Sequence, residues 1–128
     1  MSLHYHLIDP AVLMNAAGDD EAGFAELLAM FVRIVPDMAR QLRDAVEQAR
    51  GADVAQHAHS LKSCMSLVGA FDCGARLEQL ERAARGGTPE AAAGFDELHE
   101  LILAVLAEAL GCYAATTRIP GLVTPDIV

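Results

Sequence analysis

The sequence predicts an all-α protein, an up-and-down antiparallel four-helix bundle with a short N-terminal covering helix. Apolar residues recur at spacings of three and four in four long segments, which is the period of an amphipathic helix. Apolar residues make up 53% of the chain but aromatic residues only 5%, which favours closely packed helices over a β-sandwich. Because only a few residues connect the segments, neighbouring helices are expected to run antiparallel.

The N-terminal covering helix is predicted within LIDPAVLMNAAGDD. Asp9 is expected to be its N-cap and Pro10 its first residue, since proline favours the first helical position. Gly18 is expected to end it. Either Asp19 or Asp20 can then cap the first long helix.

One proline interrupts the apolar pattern of the first long helix. Pro36 either ends a helix or kinks it, and no Gly, Asn or Ser cluster flanks it to build a turn. We therefore predict one long kinked helix, closed by Gly51. The second long helix is expected to begin near Asp53 and to end at Gly69.

The third long helix is FDCGARLEQLERAAR, ended by Gly86 and Gly87. Thr88 is then expected to cap the last helix, with Pro89 in its first turn and EAAAGFDELHELILAVLAEALGCYAAT as its body. We predict that residues 1–115 form the bundle and residues 116–128 an extended or flexible tail. The side chains expected to face inward from these two helices are Phe71, Leu77, Leu80, Ala84, Phe95, Leu98, Ile102, Val105, Ala109 and Cys112.

Composition argues against several classes of partner. Eighteen acidic and nine basic residues give a net charge of −9, the wrong sign for nucleic acid or an anionic membrane. Cys64, Cys73 and Cys112 show no CxxC spacing, so neither a disulfide framework nor a zinc site is indicated and a cytoplasmic location is expected. No apolar stretch is as uninterrupted as a membrane span. We expect a monomer with no metal site and no cofactor of its own.

The stretch AQHAHSLKSCMSLVGA contains two histidines that are predicted to face different surroundings. On a helical wheel of about 100° per residue, His57 lies at the edge of the core stripe and His59 points about 140° away from the core direction. Residues two apart on a helix point about 160° from each other, so the two imidazoles cannot share a metal ion. The core stripe itself consists of Val54, Ala58, Leu61, Met65 and Val68.

The predicted outer face around His59 suits capture of a phosphoryl group. A neutral imidazole is nucleophilic near pH 7, and Lys62 has a stem long enough to bring its ammonium group near a group on the ring. A cation in that position would offset the charge of a transferred phosphoryl group. The sequence has no phosphate-binding loop and no acidic cluster around His59 for Mg²⁺, so a partner would supply the metal. The residues expected to form the docking face are Ala55, Gln56, Ser63 and Ser66.

The pattern AHSLKS, followed by Gly69 and Ala70 and by RLEQLE on the next helix, resembles the histidine-containing phosphotransfer domains of two-component phosphorelays. The resemblance extends from about Leu7 to Tyr113. It implies an α-helical bundle that docks response-regulator receiver domains.

The same resemblance implies roles for individual residues. His59 would be the phosphorylated histidine and Lys62 the cation that stabilises the phosphoryl group, whereas Leu61 and Gly69 would be structural. The chain departs from the family pattern at Ser63, where the family has glycine. Serine is still small, so a partner could still approach.

Three hypotheses for function follow from the sequence. In the first, His59 carries a phosphoryl group between the aspartates of receiver domains, one of them in a hybrid sensor kinase, and the chain has no catalytic turnover of its own. In the second, the same face docks a receiver or kinase domain without carrying phosphate, and Ser63 is its only support in the sequence. The third, a helical metal-binding bundle, lacks paired Glu or His ligands on inward faces.

Overall fold

The computed structural model describes residues 5–87 and 94–116, and these residues form five helices and no strand. The prediction of an all-α chain is therefore confirmed. The helices are α1 (Pro10–Ala16), α2 (Glu21–Glu47), α3 (Gly51–Leu67), α4 (Phe71–Arg85) and α5 (Phe95–Thr116).

The N-termini of α1 and α2 are capped as the sequence predicts. The Asp9 carboxylate accepts a hydrogen bond from the backbone N–H of Ala11, with Pro10 in the first turn. Asp20, rather than Asp19, caps α2 by accepting from the N–H of Gly23 at 2.8 Å. Each cap satisfies a backbone donor that has no partner within its helix.

The first long helix is continuous, since α2 runs through Pro36. Its predicted end at Gly51 is wrong, because α2 ends at Glu47 and Gly51 is the first residue of α3. Ala49 makes the turn instead, with a left-handed φ of 55°, while the N–H of Arg50 donates to the carbonyl of Ala45. The sequence did not indicate this end because alanine rarely adopts that conformation.

The predicted start of the last helix also needs correction. Gly94 lies in a turn with a φ of 74°, so α5 begins at Phe95 instead of running through this glycine. Thr88 and Pro89, predicted to cap and open the helix, lie outside the described residues. At the other end Thr116 is still helical, and the predicted tail beyond it lies outside the described residues as well.

The four long helices pack around one hydrophobic core. Helix α3 packs against both α4 and α2, α2 also packs against α5, and α4 contacts α5. All predicted inward side chains of α4 and α5 are buried except Phe71, which is 58% exposed at the first position of α4. The fully buried large side chains are Leu13, Leu28, Val35, Leu42, Leu61, Met65, Val68, Cys73, Leu77, Ile102 and Val105.

Within the part of the chain that the structure describes, only α5 is long and apolar enough to cross a membrane by length and composition. Length and composition alone do not make α5 a membrane span, because the core helix of a soluble protein can be equally long and apolar. Glu108, an acidic residue within α5, accepts hydrogen bonds from the backbone N–H groups of His6, Leu7 and Ile8 at 2.9 to 3.2 Å. It thereby fixes the segment before α1 to α5.

The turn between α3 and α4 requires glycine at position 69. Gly69 has a φ of 73°, and a Cβ atom built on it would lie 2.7 Å from the Cβ of Asp9. The backbone N–H of Asp9 donates to the carbonyl of Val68 at 2.8 Å, which holds the two chain segments together. Gly69 is thus needed both for its backbone conformation and for this close approach.

We predict that Gly69→Ala destabilises the fold more than Gly18→Ala. Gly18 has a similar φ of 69°, but a Cβ atom added to it would meet nothing within 4 Å. Gly18→Ala therefore measures only the cost of the left-handed backbone conformation, about 1 kcal/mol. Gly69→Ala should cost at least about 1 kcal/mol more, since the segment at Asp9 must move away and its hydrogen bond is lost. Urea unfolding of the two variants measures the difference, and equal losses would contradict the role given to the close approach.

Candidate functional site

The central turns of α3 separate the two histidines as the sequence predicts. The side chain of His59 is 56% exposed, whereas His57 is half-buried beside the core. On the opposite side of α3, the predicted core residues are buried, with Ala58, Leu61 and Met65 fully enclosed. The imidazole of His59 therefore stands on the outside of the bundle, held by a helix that is fixed by its buried face.

Helix α4 runs antiparallel to α3 and brings a carboxylate to His59. Gly74, near the start of α4, faces Lys62 and Met65 in the later turns of α3. Further along α4, Glu81 reaches back to His59. Glu81 is the only buried charged residue among the described residues, at 8% exposure.

The Glu81 carboxylate is shared by three nitrogen-bearing side chains. Nδ1 of His59 lies 3.3 Å from Oε1 and 3.2 Å from Oε2. Nζ of Lys62 lies 3.4 Å from Oε1, and Nε and Nη2 of Arg85 lie 3.1 and 3.0 Å from Oε2. Two helices thus contribute to one small polar cluster, which we call the Glu81 cluster (His59, Lys62, Glu81 and Arg85).

These neighbours keep Glu81 ionised. The hydrogen bonds from Arg85 are the largest influence and hold the pKa of the Glu81 carboxyl below its ordinary value of 4.5. Partial burial opposes this shift, while the hydrogen bond from His59 and the charge of Lys62 add to it.

The ionised carboxylate selects one tautomer of His59. A carboxylate without a proton can only accept a hydrogen bond, so this contact favours the tautomer of His59 that carries its proton on Nδ1. In the neutral imidazole the lone pair then lies on Nε2, the nitrogen away from Glu81. The Glu81 cluster therefore presents a nucleophilic nitrogen on an exposed side chain.

Three of the four residues predicted to form a docking face lie at the surface of α3, and one does not. Gln56, Ser63 and Ser66 are exposed, but Ala55 is buried at 2% exposure. Ala55 lies seven residues before Lys62 and hence on nearly the same side of α3, the side that faces α4. The wheel assumed one buried face, whereas α3 packs against both α2 and α4.

Two members of the Glu81 cluster were not identified from the sequence. Glu81 is the last residue of the RLEQLE motif and Arg85 ends the third long helix, but the sequence assigns neither side chain to the site. A signal for Glu81 was nevertheless present, because His59 and Glu81 lie eleven residues before and after Ala70, which precedes α4. Positions equally far from a tight turn face each other in antiparallel helices.

The comparison with protein families agrees with this geometry. The sequence matches the Hpt domain family over residues 26–108, well over half of the 128 residues, so the chain belongs to that family. These domains take part in histidine-based phosphotransfer in two-component signalling, as phosphocarriers rather than catalysts. No curated protein and no solved structure shows a significant match.

No metal centre accompanies the cluster in the described ranges 5–87 and 94–116. No three His, Cys, Asp or Glu side chains there are placed to hold one metal ion together. Glu81 stands as a single carboxylate among cations, which suits orientation of an imidazole better than metal binding.

We predict that Glu81 contributes stability that depends on pH. Because its pKa in the folded state is lowered, this contribution is present above the ordinary value of 4.5 and is lost as the pH falls through the folded pKa. The free energy of unfolding of Glu81→Gln should therefore lie below that of the wild type at neutral pH, and the two should converge in acid. Urea unfolding between about pH 3 and pH 7 measures this.

Glu78→Gln is the matched control for this experiment. Glu78 pairs with Arg82 on the exposed side of α4, where ion pairs contribute little. An equal dependence on pH in both variants would contradict the special position of Glu81.

Proposed function

We propose that this chain carries a phosphoryl group on Nε2 of His59, accepting it from an aspartyl phosphate on one receiver domain and passing it to the aspartate of another. The observation that supports this most strongly is the hydrogen bond from Nδ1 of His59 to Glu81, combined with the exposure of the ring. Together they leave Nε2 unprotonated and open to a partner.

The cluster suits each stage of this transfer. As the Nε2–P bond forms, the bond between phosphorus and the aspartate oxygen breaks, and the imidazole gains positive charge while Nδ1 keeps its proton. Glu81 stabilises that charge because it accepts the Nδ1 hydrogen bond. Lys62 lies three residues after His59 and can turn its ammonium group from Glu81 towards the phosphoryl oxygens.

The metal in this scheme belongs to the partner. Mg²⁺ on the receiver domain would neutralise charge on the phosphoryl oxygens, and the chain itself would contribute His59, Lys62 and Glu81. The return step is the reverse displacement, in which the receiver carboxylate attacks phosphorus and the Nε2–P bond breaks.

The proposed docking surface combines Gln56, Ser63 and Ser66 of α3 with apolar residues of the adjoining α2. Met38 of α2 contacts Cys64 of α3, their sulfur atoms 3.9 Å apart, which places α2 alongside the His59 helix. Ile34 and Met30, four and eight residues before Met38 on α2, are 38% and 42% exposed. Exposed apolar side chains on a helix that adjoins α3 are available to a protein partner.

The proposal includes an up-and-down arrangement of α2 to α5, supported by packing between helices that follow each other in sequence. We further propose that the chain works in the cytoplasm as a monomer, and that the receiver domain of a hybrid sensor kinase is one source of the phosphoryl group.

We predict that His59→Gln abolishes phosphoryl transfer, whereas His57→Gln retains it. Glutamine has no nucleophilic nitrogen, and His57 is half-buried, away from the Glu81 cluster. A phosphorylated receiver domain with labelled phosphate is mixed with each variant, and the label on the chain is measured after acid and base treatment. The wild-type label should be acid-labile and base-stable. A His59→Gln chain that carries as much label as the wild type would overturn the assignment.

The second candidate function, docking without phosphate transfer, has its only support in the sequence, where Ser63 replaces the glycine of the family pattern. Its hydroxyl donates to the carbonyl of His59 at 3.4 Å, one turn earlier on α3, so it is directed back to the helix. In that position a serine leaves the approach to the imidazole open, which favours the phosphocarrier.

We predict that Ser63→Gly changes the rate of phosphoryl acceptance by less than about threefold while lowering stability by about 0.5–1 kcal/mol, the cost of glycine inside a helix. Ser63→Arg should block acceptance, because a long side chain would cover the docking face. Rapid-quench measurements with a phosphorylated receiver, alongside urea unfolding, check both variants. A wild-type chain that accepts no phosphate until Ser63 is replaced by glycine would favour the docking-only function.

A further inference from the structure

We propose that Arg85 is a positioning residue that controls, through Glu81, how much of His59 is in its reactive tautomer. This inference rests on the proposed function of His59 and extends it to a residue on the neighbouring helix. It concerns the competition of several donors for one carboxylate.

The geometry shows that Arg85 and His59 compete for the same oxygen. Oε2 of Glu81 lies 3.0 and 3.1 Å from the two guanidinium nitrogens and 3.2 Å from Nδ1 of His59. The other oxygen, Oε1, lies 3.3 Å from Nδ1 and 3.4 Å from Lys62. The His59 hydrogen bond is therefore divided between two oxygens that are both engaged with cations.

A divided hydrogen bond to a neutralised carboxylate is weaker than one to a free carboxylate. The guanidinium contributes the two shortest contacts in the cluster, so Arg85 takes the largest share of the charge of Glu81. Without Arg85, Nδ1 could donate directly to Oε2, and the tautomer with its proton on Nδ1 would become more populated. Lys62 and the packing around Glu81, whose side chain is only 11% exposed, would still hold the carboxylate in place.

Arg85 is well placed for such control because it does not belong to the core. Its side chain is 61% exposed and lies in the last turn of α4. It can therefore be replaced without opening a cavity. Its neighbour Arg82 offers a control, since it has the same charge, is 77% exposed and pairs with Glu78 instead.

The experiment measures the two tautomers of His59 by long-range ¹H–¹⁵N NMR at about pH 8, where most histidines are neutral. In Arg85→Ala and Arg85→Gln, the ratio of the Nδ1–H to the Nε2–H form should rise about two- to fivefold, the range expected for loss of a partly exposed ion pair. Arg85→Lys should give an intermediate value, and Arg82→Ala should leave the ratio unchanged.

A double variant tests whether the effect passes through Glu81. In the Glu81→Gln background, Arg85→Ala should no longer alter the ratio. An unchanged or lower ratio in Arg85→Ala, or the same rise in both backgrounds, would overturn the inference.

A second readout separates this inference from the proposed function. The initial rate of phosphoryl acceptance from a phosphorylated receiver should rise in Arg85→Ala in proportion to the fraction of His59 in the Nδ1–H form, which is calculated from the measured ratio. A shifted ratio in a chain that accepts no phosphate would reject the proposed function and leave the role of Arg85 standing.

Discussion

The site depends on one carboxylate held between two helices. Glu81 is nearly buried, and a buried charge is tolerated only where other charges and hydrogen bonds compensate it. Its partners come from both sides of the interface, His59 and Lys62 from α3 and Arg85 from α4 itself. The electrostatic requirement therefore fixes the register of α4 against α3, and that register in turn fixes the orientation of the imidazole ring.

The members of the Glu81 cluster differ in how much of each side chain is exposed to solvent, and this difference sets what each can do. Glu81 is shielded from water, so its charge acts strongly on its neighbours, whereas His59 and Arg85 are more than half exposed and can meet other molecules. Lys62 is between these extremes, with 27% of its side chain exposed. A receiver domain that approaches α3 would meet the reactive nitrogen first, with the counter-charge already in place behind it. Such pre-organisation avoids reorientation of the ring during transfer.

Most of the fold could be predicted because apolar spacing reports directly on burial along each helix. The same reasoning failed where the result depends on how helices meet. Ala55 is buried because α3 has two neighbours, a fact that a wheel for one helix cannot contain. Phe71 is exposed because it lies at the very start of α4. Ala49 adopts a left-handed conformation that its residue type disfavours. The exposed position of His59 could be predicted from the apolar pattern of α3 alone. Its contact with Glu81 could be predicted only by pairing α3 with α4.

That pairing connects the Gly69–Ala70 motif to the geometry of the Glu81 cluster, although the motif lies far from the histidine. Eight residues of α3 follow His59 before the turn begins, about 12 Å along the axis, so the motif does not touch a phosphoryl group on His59. Its left-handed glycine packs against Asp9 and sets where α3 stops and α4 starts. One residue more or fewer within α4, between this turn and Glu81, would move Glu81 by about 100° around the helix axis and carry it away from Nδ1. The tight turn and the buried carboxylate are thus two parts of one constraint, which aligns α4 so that the Glu81 carboxylate meets Nδ1 of His59.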